Sequence, residues 1–171
     1  MSVDPYSTHI GVAAACALAS RGPILELGAG FYSTPLLHAI CLMCGRNLVT
    51  VDSDSRWLER FGRYAGPHHL LEVSNQPSDW AARLRWGFAL IDNGQHERAC
   101  CLSALAKNAE LIAAHDTQAP QESYGYEPTL SGFTHRFDYR AEELRSGRGL
   151  VPWTTVVSNC RELAWLEGLF T

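Results

Sequence analysis

The 171-residue chain contains no run approaching the ~20 apolar residues that a membrane-spanning helix needs. The stretch from Ile10 to Leu18 is apolar. Asp4 stands where a signal peptide would carry basic residues, so a core helix is expected there and not a leader. No second cysteine pair accompanies Cys41 and Cys44, which leaves a zinc site half its ligands short. That pair falls inside a helical pattern, which disfavours redox chemistry. Cys16, Cys100, Cys101 and Cys160 lie mostly among alanine and leucine, where a reduced thiol behaves as a small hydrophobe. A cytoplasmic, disulfide-free protein is expected. Positive charge is not in excess, and the formal net charge of -4 argues against a broad electrostatic grip on nucleic acid. Arg56, Arg60 and Arg63 recur at helical spacing and read as a solvated helix face. No repeat or linker divides the chain, so a single domain over residues 1–171 is expected.

What is present alternates between strand and helix. An opening helix is predicted from about residue 8 to 20. Pro23 to Leu27 is a short apolar run ending in glycines, which reads as a buried strand. Thr34 and Pro35 then suit a cap and a first helical position, and Gly45 stops the helix. Leu48 to Val51 is a second strand ending at Asp52, and Asp54 or Ser55 caps the next helix. His69 to Val73 is a third strand, followed by a short helix from Asp79 to Arg85. Phe88 to Ile91 is a fourth, ending at Asp92 and followed by a helix from about His96 to Lys107. Glu110 to Ala114 is a fifth, ending at His115 and Asp116. Gln118 to Gly132 reads as a long loop, and two antiparallel strands, Phe133 to Tyr139 and Thr154 to Val157, close the pattern. Such alternation predicts an α/β fold, a mostly parallel sheet covered by helices on both faces. Ligands of such sheets bind outside the carboxyl ends of the strands, where strand order reverses. The polar clusters of this sequence fall at those ends.

Gly28 and Gly30 follow the first strand directly and precede a helix, so the chain can turn tightly and a ligand can approach the backbone. Asp52 ends the next strand, where a carboxylate can accept hydrogen bonds from ribose hydroxyls, with Asp54 as the substitute. An adenosine ligand fits this register. A dinucleotide fingerprint would need a glycine at position 33, where Ser33 stands. Glu26, two residues before the first glycine, favours a cation and repels a pyrophosphate.

Ile24 to Gly30 resembles the first motif of class I S-adenosylmethionine-dependent methyltransferases. Val49 to Asp52 resembles their second motif, and Ala89 to Asp92 their fourth-strand motif. The resemblance implies a Rossmann-like three-layer α/β/α sandwich with a seven-stranded sheet in the order 3-2-1-4-5-7-6, strand seven antiparallel. It implies S-adenosylmethionine as cofactor and methyl transfer from its sulfonium. Glu26, Gly28 and Gly30 would line the methionine part, Asp52 the ribose, and Ser74 and Asn75 would lie near the adenine. Tyr32 replaces a third glycine that many members carry, so the methionine carboxylate would meet its ring or a helix N-terminus. Asp92 would lie at the same cofactor edge.

The acceptor end is expected from the fourth and fifth strand ends, which neighbour strand one. His115 is the first candidate for a general base, because imidazole titrates near neutral pH. Asp92 or Asp116 would orient the acceptor or hold His115 in one tautomer. Arg98 would pair with an anionic substrate group. Tyr6, His9 and His96 are further candidates for substrate contact, with Tyr6 to His9 and the Tyr124–Tyr126 loop folding over the acceptor. Asp92, His96, His115 and Asp116 also offer ligands for a divalent metal, but no spacing here is diagnostic of one, and none is assigned. A small-molecule acceptor is expected, with no membrane partner, and a homodimer is compatible with the sequence. The rival readings are a non-catalytic cofactor-binding or oligomerisation module of the same fold and a nicotinamide-dependent oxidoreductase.

Overall fold

A computed structural model describes residues 4–118, 124–141 and 151–170. The strands are β1 (Ile24–Leu27), β2 (Leu48–Asp52), β3 (His69–Val73), β4 (Trp86–Ile91), β5 (Ala109–His115), β6 (His135–Tyr139) and β7 (Thr154–Ser158). The helices are α1 (Ile10–Ala19), α2 (Ser33–Cys44), α3 (Ser55–Leu58), α4 (Pro77–Arg83), α5 (Arg98–Leu105), α6 (Glu127–Leu130) and α7 (Ala164–Phe170). The seven strands form one sheet in the order β3-β2-β1-β4-β5-β7-β6. β1 to β5 run parallel, and β7 pairs antiparallel with both β5 and β6. This is the expected order, with the one antiparallel strand where it was expected.

Because side chains alternate along a strand, the central strands feed two cores. Ile24, Phe88 and Leu90 face α1, α2 and α7 and pack with Val12, Cys16, Leu37 and Leu166. Leu25, Leu27, Ala89 and Ile91 face the other way and pack with Ala81, Cys101, Leu102 and Leu105 of α4 and α5. Burial of each such Leu, Ile or Phe contributes about 1.5–3 kcal/mol. The parallel strands read as unbroken apolar runs because both faces are covered.

Boundaries differ from the sequence reading in identifiable ways. Thr34 does not cap α2: Tyr32 holds the cap position without a side-chain bond, and the Thr34 hydroxyl donates to Glu26 instead. α4 starts earlier than expected because Pro77 takes its first turn. A 3-10 turn over Gln95–Glu97 delays α5 to Arg98. Of the expected loop from Gln118 to Gly132, residues 119–123 lie outside the described residues, and Glu127–Leu130 forms one helical turn. α7 had no counterpart in the sequence pattern, since its seven residues include Gly168 and carry little periodicity. Arg56, Arg60 and Arg63 are exposed, and Arg60 and Arg63 lie over the rings of Trp57 and Tyr64. No helix among the described residues is long and apolar enough to cross a membrane.

The amino end of β4 leaves no room for a side chain. A Cβ on Gly87, at the start of β4, would stand 1.8 Å from the Arg21 carbonyl oxygen. Gly87→Ala is therefore expected to cost about 3 kcal/mol or more, lowering the thermal midpoint by roughly 6–12 °C. A midpoint within about 2 °C of wild type by calorimetry would show that the Arg21 carbonyl yields.

Candidate functional site

Strand order reverses at β1, which lies between β2 and β4. In this register Leu27 pairs with both Val51 and Ile91, so Gly28, Asp52 and Asp92 emerge level at the carboxyl edge. Gly28 has φ 91°, and a Cβ there would sit 2.3 Å from the Asp92 carbonyl oxygen. Only glycine combines that left-handed backbone with that approach. The Asp52 carboxylate accepts the Ala29 N–H at 2.9 Å with one oxygen and the Asp54 N–H at 2.9 Å with the other. Asp54 is occupied as the cap of α3, accepting from the backbone of Arg56 and Trp57. The Trp57 indole N–H donates to the Ala29 carbonyl at 2.7 Å, fixing the other side of the turn.

Two cavities flank this turn. One, of about 280 Å³, is lined by Asp52, Ser74, Asn75, Asn93 and His96 among others. The second, of about 610 Å³, is lined by Tyr6, His9, Gly30, Tyr32, Trp57 and Asp92 among others. The structure thus brings Asp52, Ser74 and Asn75 together on one side and Gly30, Tyr32 and Asp92 on the other. His96, grouped with the acceptor in the sequence reading, stands beside Asp52 instead, because the 3-10 turn before α5 carries it there. The Tyr32 hydroxyl donates to Asp4 at 2.7 Å, drawing the N-terminal segment across the larger cavity.

Glu26 lies beneath the turn, fully buried, and does not line either cavity. Its Oε2 accepts from Thr34 at 2.9 Å and from Thr50 at 2.7 Å, while Oε1 has no well-formed partner even though the Ser33 hydroxyl is near. Thr34 in turn accepts the Gly30 N–H at 3.0 Å, so Glu26 reaches the turn through a threonine. The chain continues from Thr50 to His69 at 2.8 Å and from His69 to His38 at 3.1 Å. Burial pushes the Glu26 carboxyl up to about 7, against the pull of the three hydroxyls. His69 is pushed down to about 4 by burial and by the neighbouring His38.

Arg98 is the departure of most consequence. It is buried, and its guanidinium donates to the carbonyls of Asn93 and His115 and to the carboxylates of Asp92 at 2.9 Å and Asp116 at 3.2 Å. The Tyr124 ring lies 4.5 Å from it. Pairing with an anionic substrate is thereby corrected: the cation is saturated by protein groups and ties the ends of β4 and β5 together. Asp116 adopts φ 59°, a left-handed conformation that aspartate tolerates better than most residues. Burial pushes the Asp92 carboxyl up, Arg98 pulls it back, and the Asp116 carboxylate adds to the rise.

His115, the last residue of β5, is buried, and its Nδ1 pairs with the Thr154 hydroxyl at 3.1 Å. Its ring packs 4.5 Å from that of His9. Burial and then Arg98 push His115 down to about 3; burial, then His115, do the same to His9. Both are neutral imidazoles at physiological pH. The sequence offered His9 as a candidate for substrate contact, but its burial against His115 had no local signal.

No protein-family model matches the sequence, and no curated protein matches it. Solved structures do resemble the chain. A fibrillarin pre-rRNA processing protein from Methanococcus jannaschii is 16% identical with a TM-score of 0.63, over 92% of this chain and 77% of that one. TomG from Streptomyces achromogenes, an O-methyltransferase involved in tomaymycin synthesis solved in complex with S-adenosylmethionine, is 14% identical with a TM-score of 0.64. That match covers 92% of this chain and 81% of the other. A precorrin-6y C5,15-methyltransferase from Geobacter metallireducens is 10% identical with a TM-score of 0.56, covering 89% and 87%. The chain has the fold of the class I S-adenosylmethionine-dependent methyltransferases.

Two outcomes follow from the buried charges. Glu26 holds its proton to about pH 7 when folded and to about 4.5 when unfolded. Its stabilising contribution is full below pH 4.5 and is lost as pH rises through 7. Denaturant titrations from pH 5 to 8 should show Glu26→Gln gaining on wild type by about 3 kcal/mol, and parallel profiles would place Glu26 near its ordinary value. Arg98→Ala leaves two carboxylates without a counter-charge and should cost about 3–5 kcal/mol, with Arg98→Lys recovering only part. Equal stability of Arg98→Ala and wild type would mean that neither carboxylate depends on the guanidinium.

Proposed function

We propose that this protein is an S-adenosylmethionine-dependent methyltransferase acting on an oxygen or nitrogen of a small molecule. The observation that carries the reading is the pair of cavities divided by the Gly28 turn at the switch point of this sheet. The smaller suits adenosine, with Asp52 toward the ribose hydroxyls and Ser74 and Asn75 toward the base. The larger suits the methionine end, with Gly30 and Tyr32 beside it and the uncapped first turn of α2 offering backbone to its carboxylate. Glu26, behind the turn, reaches it through Thr34 and holds its Gly30 end in place. Net charge of -4 fits a small acceptor better than a nucleic acid.

At the acceptor end, Asp92, His115, Asp116 and His9 converge. Methyl transfer is an in-line displacement, favoured by holding the acceptor against the sulfonium in a dry site. His115, neutral and oriented by Thr154, is suited to accept a hydrogen bond from the acceptor. A group so weakly basic holds a proton poorly, and Asp92, whose proton affinity burial raises, is the better destination for it. Tyr6 and Tyr32 form the cavity wall that shapes the acceptor's entry.

Calorimetric titration with S-adenosylmethionine, S-adenosylhomocysteine and NAD tests the cofactor. The two methionine ligands should bind and NAD should not; tight binding of NAD alone would overturn the reading. Asp52→Ala should weaken S-adenosylmethionine about tenfold or more, whereas unchanged affinity would remove Asp52 from the ribose. Transfer of a radiolabelled methyl group to a panel of small phenols and amines should occur with wild type. His115→Ala should abolish it with cofactor affinity retained. Cofactor binding without transfer to any acceptor would favour a non-catalytic module.

A further inference from the structure

The convergence of His9, Asp92 and His115 goes beyond what methyl transfer alone requires. One residue precedes α1, one follows β4 and one ends β5, and each offers a ligand atom within 4.8 Å of the other two. Atoms bound about 2.1 Å from a tetrahedral metal lie about 3.4 Å apart, so the cluster needs only a modest contraction. His9 is 3% exposed, yet neither of its ring nitrogens has a hydrogen-bond partner among the described residues. A buried imidazole left so is destabilising, and native structures rarely keep one without a use.

The surroundings of the other two ligands have the form of an outer ligand shell. Thr154 holds His115 at Nδ1, which leaves Nε2, with Asp116 Oδ1 3.7 Å away and beyond hydrogen-bond length, as the nitrogen available to an ion. Arg98 holds one oxygen of Asp92 and leaves the second. Such outer partners orient metal-binding imidazoles and carboxylates. His9 and Asp92 line the 610 Å³ cavity, so a bound ion would keep an open position toward it. Three protein ligands with one open position are the pattern of a catalytic and not a structural metal. Two imidazoles with one carboxylate suit a transition ion such as Zn²⁺, Fe²⁺ or Co²⁺ over Mg²⁺ or Ca²⁺.

We propose that His9, Asp92 and His115 form a binding site for one divalent transition-metal ion, open to the larger cavity. The site does not depend on the methyl-transfer reading. Where that reading also holds, the ion would stand in for the direct contacts of His115 and Asp92 with the acceptor, and an acceptor oxygen at the open position would become easier to deprotonate.

The full chain, free of cofactor, is titrated with Co²⁺ and followed by visible absorption, and with Zn²⁺ by calorimetry. One Co²⁺ per chain is expected, with ligand-field bands of a nitrogen and oxygen site. His9→Ala and His115→Ala are each expected to weaken Co²⁺ at least tenfold, and His9→Ala should retain the wild-type circular dichroism. Affinity in His9→Ala within twofold of wild type would overturn the proposal, as would a stoichiometry well below one. Near-ultraviolet thiolate-to-cobalt bands would also overturn it, by placing the ion on exposed Cys44, Cys100 or Cys160. S-adenosylmethionine affinity measured without metal is a separate reading, so failure of one site is distinguishable from failure of the other.

Discussion

The architecture of the site rests on one steric constraint, the approach of the Gly28 Cα to the Asp92 carbonyl at the centre of the sheet. Parallel pairing of β1 with both neighbours brings three strand ends to one level, and the chain must then leave β1 without a side chain in the way. The turn that results is held on one side by Asp52, through the Ala29 N–H, and on the other by Trp57, through the Ala29 carbonyl. Because both halves of one residue's backbone are engaged, the turn is set before any ligand arrives. Pre-organisation of this kind lowers the ordering cost of binding.

Beneath the turn the fold accepts an expense. A carboxyl on the α1 and α2 face of β1 interrupts an apolar layer; Thr34 joins it to the Gly30 N–H, and Thr50, His69 and His38 form a polar file leading from it. An ionised Glu26 accepts hydrogen bonds from both threonine hydroxyls, so His69 must donate its Nε2–H to Thr50 and accept at Nδ1 from His38. A protonated Glu26 allows the file to reverse. The orientation of three side chains is thereby coupled to one proton.

Much of this was legible in the sequence, because strand and helix alternation, the two glycines and an acid at each strand end are local signals. The sheet order followed from the family resemblance, and Asp52, Ser74 and Asn75 did assemble around one cavity. Thr34 was misread because its hydroxyl has two uses at a helix start, and only the third dimension shows Glu26 within its reach. The partners of Arg98 could not be read locally, because they lie at the ends of two separate strands. His9 had no local pattern at all: its role depends on α1 packing across β4 and β5, a long-range contact that periodicity does not encode.

Arg98 carries one further consequence. Its guanidinium joins two carboxylates and two carbonyls contributed by separate strand ends, so the acceptability of any residue at 92 or 116 is conditional on the residue at 98. Single changes along an evolutionary path would meet a barrier at each of the three positions, while concerted replacement of all three by neutral side chains would avoid the stranded charge. The ends of β4 and β5 are expected to diversify in jumps, as a block of linked positions, while the Asp92 backbone holds Gly28 fixed whatever side chain stands at 92.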